Sequence, residues 1–166
     1  TYLDSACTTL KPFSVIKKLN EYYNEYPACA GRSAHKLAER VEQEVTRARE
    51  EVRRLIHAAH DDEIVFTRNT TEAINLVASG LKLDKGDAII ITDKEHNSNL
   101  LPWMRLHDEK GIQLIICETN EDGTFNEQAF EKLCSNNVKL VSIAHVSNLD
   151  GVTNPINEII SYAHSK

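Results

Sequence analysis

From Glu63 onward the chain alternates short apolar runs with amphipathic stretches, and this alternation constrains the fold more than any other feature. The runs are EIVFT (63–67), AIIIT (88–92), IQLIIC (112–117) and KLVSIA (139–144). Helical spacing of apolar residues follows each one, over 71–81, 98–110, 126–134 and 155–164. Four strand-helix units in succession predict an α/β fold. The runs are mostly continuous and not alternating, as parallel strands are when helices cover both faces of their sheet. Lys85-Gly86-Asp87 and Glu121-Asp122-Gly123 supply turn chemistry between units.

The first 60 residues follow a different pattern. After an extended arm (TYLDSACTTLKP), apolar positions at helical spacing predict a helix over 14–26. A longer one is predicted over 33–59, where Leu37, Val41, Val45, Ala48, Val52, Leu55 and Ile56 recur every three or four residues. The expected organisation is therefore an arm with helices over 1–60 and a sheet domain over 61–166.

Composition narrows the partners. The formal charge of -6 leaves no basic stripe, because Glu50 and Glu51 interrupt the one dense basic stretch (47–54), so nucleic acid is not an expected partner. The four cysteines show no metal-ligand spacing, and reduced thiols in a cytoplasmic protein are the simplest expectation. Cys7 has no sequence neighbour to activate it and reads as a small packed residue. No apolar stretch is long enough to span a bilayer, and no signal peptide opens the chain, so no membrane partner is expected. Thr1 is not an initiator Met, and an upstream start is expected.

In open parallel sheets, ligands bind beyond the carboxyl ends of the strands. Three polar clusters stand there: TRNTTEAIN (67–75), KEHNSNLLPW (94–103) and AHVSNLDG (144–151). Thr70 and Thr71 open a helix, where hydroxyls and unpaired N–H groups suit either a phosphate or a plain threonine cap. No GxGxxG or GxxxxGK[ST] occurs, which argues against a dinucleotide fold and a P-loop. His96 can act as an acid or base, lie on an aromatic cofactor ring, or be an exposed loop histidine. His145, Ser147 and Asn148 raise the same choice, with Asn148 able to donate a hydrogen bond to an oxygen, or simply to sit in a turn. Arg32 and His35 are either an anion and proton-handling pair or a solvated helix start.

Taken together, YLDSACTTLKP, GRSAH, FTRNTTEAINLVA, DKEHNSNLLPW and HVSNLDGVTNP, in this order, resemble the class V aminotransferases, pyridoxal-phosphate enzymes, over the whole chain. The branch of cysteine desulfurases and selenocysteine lyases is the most similar. The resemblance implies the three-layer, mostly parallel sheet of fold type I, here incomplete, with 61–166 as the first part of the cofactor-binding domain. It also implies that Thr70 and Thr71 hold the pyridoxal 5'-phosphate phosphate group and that His96 stacks on its ring. Asn148 would reach the cofactor or the substrate carboxylate, and His35 would stand at the substrate entrance. Cys7 occupies a position where relatives commonly carry alanine.

The family's pyridinium-pairing Asp and its Schiff-base lysine, after a Ser/His pair, belong to later strands than any found here. Lys94, Lys139 and Lys166 do not match that lysine's motif. The resemblance thus implies the N-terminal portion of an enzyme removing sulfur or selenium from cysteine-like amino acids, inactive by itself, whose early strands would leave gaps in the sheet. It further implies a small amino-acid substrate, a homodimeric parent and a sulfur-acceptor protein. A non-catalytic phosphate- or pyridoxal-phosphate-binding regulatory domain is the alternative, as are kynureninase-like and epimerase-like activities.

Overall fold

The computed structural model describes all 166 residues, which form two compact units, Thr1–Phe66 and Thr67–Lys166. The first unit consists of α1 (Phe13–Glu25), α2 (Lys36–Ile56) and a 3-10 turn at Asp61–Glu63. Tyr26, just past the end of α1, is 2% exposed and lies against the Arg40 guanidinium of α2, whose carbon is 3.9 Å from the ring centroid. Arg40 also pairs with Glu21 at 2.8 Å and Glu25 at 3.2 Å. An apolar groove lined by Val15, Leu19, Tyr22, Val41 and Val45 follows the two helices. α2 is shorter than its periodicity predicts. It starts after His35, whose Nδ1 accepts the Ala38 N–H, and ends where His57 turns left-handed at φ 58°.

The second unit contains α3 (Thr70–Gly80), β1 (Ala88–Thr92), α4 (Asn97–Lys110), β2 (Gln113–Cys117), α5 (Glu127–Leu133), β3 (Val138–Val141) and α6 (Ile156–His164). The three strands are parallel in the order β2-β1-β3. The continuous apolar run of β1 has a direct structural reason. Ile89 and Ile91 face a core built with Ala78, Leu83, Trp103, Leu106 and Ile112, whereas Ile90 faces the opposite core of Cys117, Phe125, Phe130 and Ile159. These clusters set α3 and α4 on one face and α5 and α6 on the other, giving three layers. Each of the three isoleucines is at most 1% exposed, a burial that contributes about 1.5–3 kcal/mol apiece.

Two strand expectations are corrected. Residues 63–67 do not form a strand. Ile64 has extended dihedrals (φ -95°, ψ 114°), but its carbonyl accepts from Arg49 Nε at 3.3 Å, so no ladder forms, and Val65 and Phe66 stay exposed. β3 stops at Val141 although apolar residues continue to Ala144. Past that point side chains replace the ladder: Asn99 Nδ2 donates to the Ser142 carbonyl, the Glu95 carboxylate accepts the Ala144 N–H, and Asn154 Nδ2 donates to the Ala144 carbonyl. No gap opens between the three strands, because β1 bonds to both neighbours. Cys7 is exposed and not packed, another departure from the expectation. No helix is long and apolar enough to cross a membrane.

Candidate functional site

The site is built where α3 and α4 begin. Asn69, not a threonine, caps α3: its Oδ1 accepts the Glu72 N–H at 2.9 Å. Glu72 reaches back to the Arg68 N–H at 2.6 Å and pairs with the Arg68 guanidinium at 3.0 Å, which holds its carboxyl below the usual carboxylate range. With the cap satisfied by Asn69, Thr70 and Thr71 are released for other work. Both are exposed, and their backbone N–H groups have no protein acceptor, as expected in the first turn of a helix.

His96 caps α4 in turn, its Nδ1 accepting the Ser98 N–H at 3.1 Å. The Ser98 hydroxyl lies 2.9 Å from the same nitrogen and 2.8 Å from the Thr71 hydroxyl. Nδ1 accepts the Ser98 N–H, and the Ser98 hydroxyl lies between the ring and Thr71, with either hydroxyl able to donate in the Thr71–Ser98 contact. Thr71 and His96, 25 positions apart in sequence, are thereby joined through Ser98, a residue the sequence reading passed over. Its signal was its place in the first turn of a predicted helix directly after His96.

The loop after β1 holds the rim together with three consecutive charges. Asp93 accepts from the Thr119 N–H at 3.2 Å and hydroxyl at 3.3 Å, in the loop after β2. Lys94 Nζ donates to the Gly123 carbonyl at 2.8 Å and to Asp150 Oδ2 at 2.5 Å. Glu95 accepts from the Thr92 hydroxyl, Asn99 Nδ2 and the Ala144 N–H. Asp150 is held down to about 2, first by the Lys94 ammonium and then by the Val152 N–H. In the sequence, Lys94 and Glu95 belong to the polar cluster over 94–103 and Lys94 is weighed only as a Schiff-base lysine; none of the three is assigned this holding role. The signal was three charges placed immediately after a five-residue run that is entirely buried.

Of the other residues singled out, Asn148 lies in an exposed turn over 148–150 and makes no protein hydrogen bond through its side chain. His35 belongs to the first unit, where its Nδ1 serves as the cap of α2. None of the three lysines set aside is free: Lys94 is doubly bonded as above, Lys139 donates to the Asn136 carbonyl at 3.4 Å, and Lys166 lies 4.8 Å from the Tyr162 ring centroid.

A parallel sheet covered on both faces, with hydroxyls and an imidazole gathered at helix starts beyond its central strand, is the arrangement of an α/β ligand-binding enzyme domain. The family model described as aminotransferase class-V matches residues 1–166, and the chain belongs to that family. It is 43% identical over 166 residues to a probable cysteine desulfurase of Halalkalibacterium halodurans, a match covering 98% of this chain and 41% of the relative. A probable cysteine desulfurase of Methanothermobacter thermautotrophicus is 41% identical over 163 residues, covering 98% and 40%. Among solved structures, the apo cysteine desulfurase of Thermococcus onnurineus superposes with a TM-score of 0.93 at 37% identity, covering 99% of this chain and 41% of that one. The chain thus spans about two fifths of the length of these relatives.

Proposed function

We propose that this chain forms part of a pyridoxal-phosphate-dependent enzyme that removes sulfur or selenium from a cysteine-like amino acid, and that it supplies the side of the site that holds the phosphate and covers the ring. The observation that carries this reading is the Thr71–Ser98–His96 hydrogen-bonded set at the starts of α3 and α4. Its donor chemistry fits the group. Two unpaired backbone N–H groups, two threonine hydroxyls and the positive end of α3 suit a phosphate dianion. The His96 ring, with Nδ1 committed to Ser98, keeps one orientation and leaves a face for stacking.

When bound, pyridoxal phosphate supplies the electron-withdrawing ring that makes bonds around the substrate α-carbon breakable. The residues of this chain bind and orient. Thr70 and Thr71 donate to phosphate oxygens, His96 lies over the ring, and Asn148 donates to a cofactor or substrate oxygen. His35 stands at the substrate entrance. The cofactor-bearing lysine is not among the lysines of this chain. A cytoplasmic setting accords with four unpaired cysteines. A homodimeric parent accords with exposed apolar side chains such as Leu3, Phe13, Tyr23 and Leu55. A sulfur-acceptor protein is the expected partner.

The test uses the full-length gene product, titrated with pyridoxal phosphate and assayed for sulfide or selenide release from cysteine or selenocysteine. Thr71→Val keeps the shape and removes one hydrogen bond to a charged group, so cofactor affinity falls about 10- to 100-fold. Equal cofactor affinity of the variant and the unaltered protein would sink the assignment.

A further inference from the structure

We propose that Lys94 is a positioning residue, whose ammonium clasps the loops after all three strands and so fixes the turn bearing Asn148 to the carboxyl end of the sheet. The three consecutive charges after β1 divide the work unequally. Of the two neighbouring strands, Asp93 reaches only the loop after β2 and Glu95 only the residues after β3, besides its bonds to Thr92 and Asn99. Lys94 alone reaches both. It donates to the Gly123 carbonyl in the loop from β2 to α5 and to the Asp150 carboxylate in the loop from β3 to α6.

The surroundings are shaped for this contact. Gly123 has φ +83°, and a Cβ there would fall on Lys94 Nζ, so the glycine provides both the turn and the space for the ammonium. Asp122 Oδ1 accepts the Thr124 N–H at 3.0 Å and shapes the same loop. On the other side, Asp150 Oδ1 accepts the Val152 N–H at 3.1 Å while Oδ2 takes the lysine, so one carboxylate both closes its turn and moors it. The Lys94 side chain is 22% exposed and that of Asp150 38%. A solitary surface pair of that kind contributes little. Here the ammonium is also bonded to a backbone carbonyl, and its four-carbon stem spans loops that share no strand pairing.

The turn also has bonds of its own: the Ser147 N–H donates to the Val152 carbonyl and the Gly151 N–H to the Ser147 carbonyl, both at 2.9 Å, beside a bridge between Val146 and Thr153. These bonds shape the turn without mooring it to the loops after β1 and β2. Two cases therefore differ in a measurable way. A turn held by its own bonds exchanges its amides at the same rate with or without Lys94, whereas a moored turn opens more often once the clasp is cut.

The inference rests on the proposed role of Asn148 only for its functional meaning, and the experiment separates the two. In the full-length gene product, hydrogen exchange of the segment 146–153 is measured for Lys94→Met and, should that variant fold poorly, for Asp150→Asn, which keeps its shape and the Lys94 bond to Gly123. Exchange of 146–153 is expected to accelerate tenfold or more in either variant, with β1 unchanged, and Gly123→Ala is expected to match them. Unchanged exchange in the segment overturns the clasp. Pyridoxal phosphate titration of Asn148→Ala is a separate arm. Unaltered affinity there removes Asn148 from the cofactor site, and accelerated exchange in Lys94→Met still establishes the clasp.

Discussion

Asn99 is 8% exposed and uses its whole side chain to join α4 to the ends of β1 and β3. Its Nδ2 donates to Glu95 Oε2 at 2.9 Å and to the Ser142 carbonyl at 3.0 Å. Its Oδ1 accepts from Trp103 Nε1 at 3.1 Å and from the Ser142 hydroxyl at 2.6 Å. Asn99→Ala removes all four bonds together. The indole N–H is then stranded, because Trp103 is 1% exposed, and a buried unpaired donor costs about 1–3 kcal/mol. Ser142 is only half-buried, so water replaces part of its loss, at about 0.5–1 kcal/mol for its two groups. The expected destabilisation is about 1.5–4 kcal/mol. Urea unfolding of the cofactor-free protein measures it as a lower midpoint at unchanged slope. A double-mutant cycle with Trp103→Phe isolates the stranded donor. In the phenylalanine background Asn99→Ala should cost about 1–2 kcal/mol less, since no indole N–H remains to be orphaned. A loss below about 0.5 kcal/mol for the single variant, or additivity of the pair within about 0.5 kcal/mol, refutes the reasoning.

Further outcomes follow from the same contacts. Asp150 titrates near 2 in the folded protein, below its unfolded value, so its contribution to stability is present above pH ~4 and lost as the pH falls from ~4 through 2. The carboxyl shift in a carbon-detected NMR titration reports this, and its midpoint should rise in Lys94→Met. Burial, followed by Asp93 and Cys134, pushes the Cys117 thiol up to about 11, so at pH 8 a thiol-specific reagent should label exposed Cys7 and Cys29 and spare Cys117. Mass spectrometry of the labelled peptides decides the point. His35→Ala deletes the cap of α2 and should cost about 1 kcal/mol, restored by His35→Ser. A serine variant that recovers stability but not the Michaelis constant for the amino-acid substrate separates the capping role from the entrance role.

Much of the architecture was legible because burial leaves a periodic trace. The helix over 98–110 and the strand over 88–92 appear in the structure within one residue of their expected bounds, since Trp103, Leu106 and the three isoleucines of β1 can be satisfied only in those conformations. The apolar run at 63–67 failed because apolarity specifies a preference for extended backbone but not a neighbour to bond with, and Arg49 took the Ile64 carbonyl instead. Site chemistry was less legible. Thr71 and His96 stood out through their places at helix starts, but Ser98, which joins them, looked like an ordinary first-turn serine. Lys94 and Glu95 stood in the polar cluster over 94–103, but nothing local marked them or Asp93 as the residues that bond to the neighbouring loops.

By itself the sequence determined the class of fold, the order of the elements and the helix starts at which polar residues collect, because period, cap and turn chemistry act over a few neighbouring residues. Which of those residues touch follows from the packing of the sheet and its helices. The Thr71–Ser98 hydrogen bond links positions 27 residues apart, and Lys94 reaches 29 residues to Gly123 and 56 to Asp150. Such distances are closed by β1 pairing with both β2 and β3, which brings the three loops to one end of the sheet. Strand order depends on long-range packing, and no local pattern in the chain encodes it.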